Sequence, residues 1–162
     1  MSNLLSTIRT PADLKNLTVE QLKDVAQELR DAIVANLAQT GGHFASNLGA
    51  VDLIVALHYV YEAPRDKLVF DVGHQCYAHK MLTGRLADFP TLRQYGGISG
   101  FLRIEESDFD SFGAGHASTS ISAAYGMAVA RDLAGGTEAA VAVIGDAGLT
   151  GGLAFEGLNN AG

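Results

Sequence analysis

The first long helix is predicted from apolar residues that recur every three or four positions. The residues with this spacing are Leu22, Val25, Leu29 and Ile33. Glu and Lys side chains lie between them, as on the exposed face of an amphipathic helix. Thr18 and Gln21 form a capping box at its start, and Gly41-Gly42 ends it. Thr10-Pro11 predicts a shorter helix before it, because it pairs an N-cap with a proline at the first helical position.

Two short apolar runs predict buried strands, and a longer one predicts a buried helix. Ser46 to Tyr61 is apolar on most sides, which indicates a buried helix that ends before Pro64. KLVFDVG is a short strand ended by Gly73. AAVAVIGD is apolar on both faces, as is typical of a strand in a parallel sheet.

Three further segments are predicted to be helical, and one long segment is irregular. The helical segments are HQCYAHKMLTG, STSISAAYGMAVARDLAGG and GGLAFEGLNNAG. Ser118 or Thr119 is the expected cap of the second of these, and Gly135-Gly136 its stop. Residues 85–115 lack periodicity, and a loop of that length inside a compact domain is usually functional or mobile.

Alternation of buried strands with helices predicts an α/β fold, in which a parallel sheet is flanked by helices. The chain contains no internal repeat and no low-complexity linker. Only two strands are clear, whereas a sheet normally has more. We therefore expect the fold to be incomplete within these residues.

Composition excludes several classes of protein. The chain has 162 residues, is 48% hydrophobic and carries a net charge of -7, so nucleic acids and anionic membranes are not expected partners. Cys76 is the single cysteine, which rules out an intrachain disulfide and fits a reducing compartment. The N-terminus lacks an apolar signal-peptide core, and Leu48 to Tyr61 is too short to span a bilayer. We expect a cytoplasmic protein.

Candidate chemistry lies where the two predicted strands end. In an open parallel sheet, ligands bind beyond the carboxyl ends of the strands. The first strand runs into His74 and the second into Asp146. If the strands are parallel, these two residues are expected at the same edge of the sheet.

Asp146 has two interpretations that the residues alone leave open. It is either a turn residue that caps the next helix, or a carboxylate that holds Mg²⁺ while the metal grips a diphosphate. The glycines around it favour close approach of backbone amides to phosphates. The run G-D-A-G-L-T-G-G has no lysine for a P-loop, and its spacing is not G-x-G-x-x-G.

The histidines are also open to a structural and a functional interpretation. His43, His74 and His116 lie beside glycines at the junctions of predicted elements. Each is either an incidental surface or core residue, or an acid–base or hydrogen-bonding group. Their spacing does not match a metal site. His58, inside an apolar helix, is expected to be structural.

Several motifs together resemble the 1-deoxy-D-xylulose-5-phosphate synthase family. They are GGHFASNLGAVDLIVALHYVY, DVGHQCYAHKMLTGR, GGISGF, GHASTSISAAYGMAVA and VIGDAGLTGGLAFEGLNNAG. The likeness covers nearly the whole chain, in order. Transketolases are similar in fold and cofactor, but the D-V-G-H-Q block followed by H-K-x-L-T-G-R resembles the synthase.

The resemblance implies a thiamine-diphosphate enzyme that also uses Mg²⁺. Such enzymes decarboxylate pyruvate and join the two-carbon carbanion formed on the cofactor to glyceraldehyde 3-phosphate. The product feeds isoprenoid, thiamine and pyridoxal biosynthesis. The complete protein is expected to be a homodimer.

The resemblance also implies roles for individual residues. His43 matches a histidine that handles substrate and transfers protons, and Asp146 matches a Mg²⁺ ligand. Positions that match cofactor contacts are His74, Gly115, His116, Ala117, Ala147 and Gly148.

The chain departs from the family pattern in two ways. Ala147 stands where the family usually has glycine, and its methyl group would be strained if the position needed a positive φ. The family's second metal-ligand Asn is expected beyond Gly162, and the family's pyrimidine-binding and C-terminal domains are not expected within these residues. Residues 1–162 therefore match the N-terminal part of the diphosphate-binding domain. The alternatives are a truncated, non-catalytic fragment with a partial site, or a transketolase-like enzyme.

Overall fold

The structure is a computed structural model, and it describes residues 3–162. These residues form two compact units, each built from separate stretches of the chain. The first unit comprises the residues up to Glu62 together with His74–Gly100. The second comprises Ala63–Gly73 and Phe101–Gly162.

All the regular secondary structure of the first unit that lies within residues 3–162 is helical. Its elements are a 3₁₀ helix at Leu5–Thr7, another at Pro11–Asn16, α1 at Val19–Thr40, α2 at Ala45–Val60, α3 at Tyr77–Lys80, a π-helix at Met81–Arg85 and a 3₁₀ helix at Phe89–Thr91. Pro11–Asn16 is the predicted short N-terminal helix and Phe89–Thr91 lies within the segment predicted to be irregular, whereas Leu5–Thr7 was not predicted.

Helix α1 begins and ends where the sequence predicts. Thr18 Oγ1 accepts the backbone N–H of Gln21 at 3.3 Å, and Gln21 Oε1 accepts the backbone N–H of Thr18 at 2.9 Å. Gly41 follows the helix with a φ of 68°, a conformation that glycine adopts without steric cost. Both signals are local, which is why they could be predicted without knowledge of the tertiary contacts.

Helix α2 is buried along one face and not on most sides, so that prediction was wrong. Its buried residues are Asn47, Val51, Ile54, Val55 and His58, which share one helical stripe. Leu53 and Val60 are 51% and 65% exposed. Apolar content alone could not distinguish a helix surrounded by protein from one with a single packed face.

The core of the first unit contains a pair of fully buried histidines. The rings of His58 and His79 stack with centroids 5.0 Å apart, and His58 Nε2 lies 2.9 Å from His79 Nδ1. His58 Nδ1 is buried and has no hydrogen-bond partner among residues 3–162. A buried N–H without an acceptor is costly, so we infer that the proton of neutral His58 is on Nε2, which donates a hydrogen bond to His79 Nδ1. The expected structural role of His58 agrees with this arrangement.

Burial, followed by the neighbouring His79, holds the pKa of His58 well below its usual 6.5. The unfolded chain therefore binds a proton at a pH where the folded protein does not. The stability that comes from keeping His58 neutral is fully present above pH 6.5 and is lost as the pH falls below that value.

We expect His58→Gln, which keeps an N–H donor for His79, to reduce the slope with which the unfolding free energy falls toward low pH. The reduction should be up to about 1.4 kcal/mol per pH unit. Urea unfolding between pH 5 and 8 measures this, and parallel curves would contradict it.

The second unit is a small α/β assembly. Its elements are β1 at Lys67–Phe70, α4 at Ser120–Leu133, β2 at Ala140–Val143, α5 at Asp146–Leu149 and α6 at Gly152–Ala161. The two strands are parallel, with Lys67 paired with Ala140 and Phe70 with Val143. Helix α4 packs on both strands, and α6 packs on α4. The predicted α/β class and the parallel pairing of the strands are confirmed, with two strands in the described residues.

The two strands differ in burial. In β1, Leu68, Val69 and Phe70 are no more than 1% exposed. In β2 only Val143 is buried, and the three residues before it are partly exposed. The prediction that the second strand is buried on both faces is therefore wrong within the described residues.

The sequence argued against an intrachain disulfide and against a membrane-spanning helix, and the structure gives one observation on each. The Cys76 thiol is buried and forms no disulfide within residues 3–162. Among residues 3–162 no helix has the length and apolar character needed to cross a bilayer.

Helices α4 and α6 approach so closely that a side chain at Gly157 would not fit. A Cβ at this position would lie 2.9 Å from Ser122 Oγ and 3.0 Å from Ile121 Cγ2. Such distances are shorter than ordinary van der Waals contact. Gly126, on α4 itself, has no atom within 4 Å of its Cβ position.

We expect Gly157→Ala to destabilise the protein by about 1–3 kcal/mol, because the added methyl overpacks the contact between the helices. Gly126→Ala is the matched control and should be neutral or stabilising by up to about 1 kcal/mol, through helix propensity alone. Thermal unfolding measures both effects. Equal effects of the two substitutions would show that the close approach does not control stability.

Candidate functional site

Tertiary contacts in the first unit bring together two of the predicted site histidines. His43 lies in the turn between α1 and α2, and His74 lies shortly before α3. Their rings meet edge to face, with centroids 5.5 Å apart and an interplanar angle of 75°. The sequence predicted a role for each residue but could not predict this contact.

The surroundings of the pair favour a neutral His43 and leave a polar atom of His74 available. Burial, then the His74 ring and the Arg93 guanidinium, lowers the pKa of His43 below its usual 6.5. A neutral imidazole at neutral pH can accept a proton. His74 Nδ1 is buried and has no hydrogen-bond partner among residues 3–162, so it can bond a ligand that enters the site.

In the second unit, a buried carboxylate organises the loops that follow the strands. Asp71 comes directly after β1 and is 1% exposed. Asp71 Oδ1 accepts the backbone N–H of Ser118 at 2.8 Å, and Asp71 Oδ2 accepts that of Ser120 at 3.0 Å. These amides lie at the start of α4, where backbone N–H groups have no partner within the helix. The favourable potential of a helix N-terminus also suits a carboxylate.

The predicted N-cap position of α4 is confirmed at Thr119, but the expected side-chain capping bond is not present. Ser118 Oγ donates to the carbonyl oxygen of Gly148 at 2.6 Å and so does not cap the helix. The acceptor comes from Asp71, which lies far away in sequence, and the LVFD run holds only a weak signal for it: a carboxylate at the end of an apolar strand.

Asp71, Ser118 and Gly148 form one continuous contact, which we call the Asp71 brace. A Cβ at Gly148 would lie 2.6 Å from Asp71 Oδ1, so only glycine leaves room for the carboxylate. Val72 and Ser118 have φ values of 59° and 69°, which are unfavourable for side chains with a Cβ. The hydrogen bonds made by Asp71 and Ser118 hold the backbone in these two conformations.

Asp146 is the first residue of α5 and its side chain is exposed. The N-cap position belongs to Gly145, and no side chain caps this helix. The interpretation of Asp146 as a helix cap is therefore not supported by the structure. Ala147 lies inside the α5 turn and is not among the residues with positive φ. Its methyl group is accommodated without backbone strain, which answers a question that the sequence left open.

Gly115, His116 and Ala117 are exposed and lie immediately before Ser118 of the Asp71 brace. Gly148, with Ala147 beside it, is on the other side of the same brace. Two segments predicted to contact the cofactor are thus linked through Ser118. Within residues 3–162 no group of three or more His, Cys, Asp or Glu side chains could hold a metal ion. The strands β1 and β2 are parallel, while the placement of His74 and Asp146 at one edge stays a prediction.

Comparison with known proteins shows the family. A family model described as 1-deoxy-D-xylulose-5-phosphate synthase matches residues 5–162. Curated proteins of that name are similar to the chain: one from Desulforudis audaxviator is 60% identical over 159 residues, and one from Acidobacterium capsulatum is 57% identical over 160 residues. The matches cover 98% and 99% of the chain, but 25% and 26% of those proteins. The chain belongs to the 1-deoxy-D-xylulose-5-phosphate synthase family and spans about a quarter of the length of these relatives.

Loss of the Asp71 brace should destabilise the second unit. In Asp71→Asn one acceptor becomes a donor, so the N–H of Ser118 or Ser120 loses its partner. We expect a loss of about 1–3 kcal/mol in unfolding free energy. Asp146→Asn, an exposed carboxyl with no such bonds, should change stability by less than about 0.5 kcal/mol. Urea unfolding distinguishes the two variants, and similar values for both would contradict a bracing role.

Proposed function

We propose that the complete protein carrying this chain is a 1-deoxy-D-xylulose-5-phosphate synthase, which condenses pyruvate, with loss of CO₂, and glyceraldehyde 3-phosphate. The observation that carries the proposal is the family match over residues 5–162, which includes every candidate site residue. The edge-to-face contact of His43 with His74 supports it, because it places a neutral base beside a histidine with a free polar atom. In this proposal residues 1–162 are the N-terminal part of a diphosphate-binding domain.

The donor groups present suit the proposed cofactor, thiamine diphosphate with Mg²⁺. Asp146 offers an exposed hard-oxygen ligand of the kind Mg²⁺ prefers, and Gly115 leaves open space beside its backbone. His74 Nδ1 is a buried polar atom that a ligand could satisfy. When bound, the cofactor would supply the ylid and electron sink for decarboxylation.

We propose a task in the complete enzyme for each candidate residue. Asp146 would hold the metal, and His43 would move protons to and from the substrate. Backbone positions at 115–117 and 147–148 would line the diphosphate, with the Asp71 brace fixing the path of both segments. His74 would hydrogen-bond the cofactor through Nδ1.

One carboxylate does not complete a Mg²⁺ site, so we propose that the remaining ligands come from outside these residues, together with the diphosphate oxygens and water. On this proposal, residues 1–162 alone are catalytically inactive, which corresponds to the fragment alternative. By the same family resemblance, the complete protein is proposed to be a cytoplasmic homodimer. A role in isoprenoid and thiamine biosynthesis follows from the product.

We expect Asp146→Asn in the complete protein to weaken thiamine diphosphate binding in Mg²⁺ by at least about 100-fold, since loss of even indirect metal partners costs 10–100-fold. Titration calorimetry measures this, and Asp108→Asn, another exposed carboxyl in the same unit, is the control. Unchanged affinity in Asp146→Asn would rule out this residue as the metal ligand.

The reaction itself is tested by product analysis. We expect the complete protein to release CO₂ from pyruvate and to form 1-deoxyxylulose 5-phosphate when glyceraldehyde 3-phosphate is added. Transfer from a ketose donor, without use of pyruvate, would instead identify a transketolase-like enzyme. Cofactor binding without either reaction would favour a non-catalytic protein.

A further inference from the structure

Both backbone polar groups of His43, its N–H and its carbonyl oxygen, are hydrogen-bonded to side chains. Asn47 Nδ2 donates to the carbonyl oxygen of His43 at 2.6 Å. The backbone N–H of His43 donates to Tyr77 Oη at 3.3 Å. The peptide groups on either side of the His43 side chain are therefore both anchored.

The same Asn47 amide also holds the second histidine. Asn47 Nδ2 donates to the carbonyl oxygen of His74 at 2.7 Å, and Asn47 Oδ1 accepts the backbone N–H of Tyr77 at 2.9 Å. Both N–H groups of one planar amide are thus bound to the carbonyls of the two histidines whose rings meet. Asn47 does this while 0% exposed, so water cannot substitute for any of these bonds.

Asparagine suits this position because it presents two donors and an acceptor on a short stem. An ionised aspartate would have no donor, a serine hydroxyl could satisfy one carbonyl only, and glutamine is one methylene longer. Asn47 lies in the first turn of α2, which begins without a side-chain cap. Its reach to His43 is local in sequence, whereas its bonds to His74 and Tyr77 join distant segments.

The side chains around Tyr77 restrict the hydrogen bonds that Asn47 and Tyr77 make to the two histidine segments. Tyr77 is 0% exposed and its ring packs edge-on against Phe89, with centroids 5.9 Å apart. Gly42, just before His43, has a φ of 141°, and a Cβ there would lie 2.7 Å from Tyr77 Oη. The hydroxyl that receives the His43 N–H therefore lies against a backbone position that only glycine can fill.

We propose that Asn47 is a positioning residue, which sets the spacing and orientation of the His43 and His74 rings through their backbone carbonyls. Its contacts with the two histidines are hydrogen bonds to the main chain, so it acts through them and not on the substrate. The inference rests on the proposed function in one respect, the assignment of proton transfer to His43.

Steady-state kinetics of the complete protein test the proposal. Asn47→Ser retains one short hydroxyl and cannot bridge both carbonyls, so we expect kcat to fall roughly 100-fold, as a misplacement of about 1 Å can produce. Cofactor binding should change less than kcat. The matched control is Asn36→Ser, because Asn36 lies on α1 in the same unit and its side chain bonds Thr40. This control should leave kcat unchanged.

A double-mutant cycle separates positioning from general structural damage. If Asn47 acts through His43, then Asn47→Ser should add little to the loss already caused by His43→Gln. If the two losses multiply, the proposal is overturned. Tyr77→Phe is the milder second variant, because it keeps the ring and removes only the acceptor for the His43 N–H. Its smaller loss of kcat should also fail to multiply with His43→Gln, and full activity in folded Asn47→Ser and Tyr77→Phe would overturn the proposal.

The failure of the proposed function and the failure of this inference can be told apart. If His43→Gln keeps full activity, the assignment of proton transfer to His43 is wrong. Imidazole ¹H and ¹⁵N chemical shifts then still test positioning. In Asn47→Ser the signals of both His43 and His74 should move, and in Asn36→Ser they should not. Unmoved signals in Asn47→Ser would overturn the inference whatever the reaction.

Discussion

The candidate diphosphate site depends on the hydrogen bonds that the buried Asp71 carboxylate accepts. Removing a carboxylate from water is costly unless hydrogen bonds replace the lost hydration, and the backbone amides of Ser118 and Ser120 supply them. In return, the first amides of α4 gain an acceptor that no local side chain provides. Because Ser118 then bonds the carbonyl of Gly148, the loops after β1 and β2 and the start of α4 have one common support.

In the first unit, buried backbone polar groups are satisfied by a neutral side-chain amide, that of Asn47. Asn47 satisfies two carbonyls and one amide where two distant chain segments, 43–47 and 74–77, meet, and it does so without carrying a charge. A planar amide fixes direction as well as distance, which a point charge does not. Buried polar groups with all their partners in place favour one arrangement over others, and here that arrangement includes the contact between His43 and His74.

Elements with local signals could be predicted from the sequence. The capping box and glycine stop of α1, the two strands and the helical character of α6 all follow from residues within a few positions of one another. The acceptor for the first amides of α4 and the one-sided burial of α2 could not be predicted in this way. The first depends on Asp71, which is distant in sequence, and the second depends on which face of the helix finds a packing partner.

The sequence by itself determined the α/β class, the family and the candidate residues for chemistry. Local spacing of apolar residues indicates the class, and short motifs indicate the family and the candidate residues. Only the tertiary structure decided how those residues are supported. It brought the His43 and His74 rings together, gave Asp71 and Asn47 hydrogen-bond partners in distant segments, and placed Ala147 in a helical turn where its methyl group causes no strain. The physical reason is that hydrogen bonds between distant segments form only when the whole unit has packed.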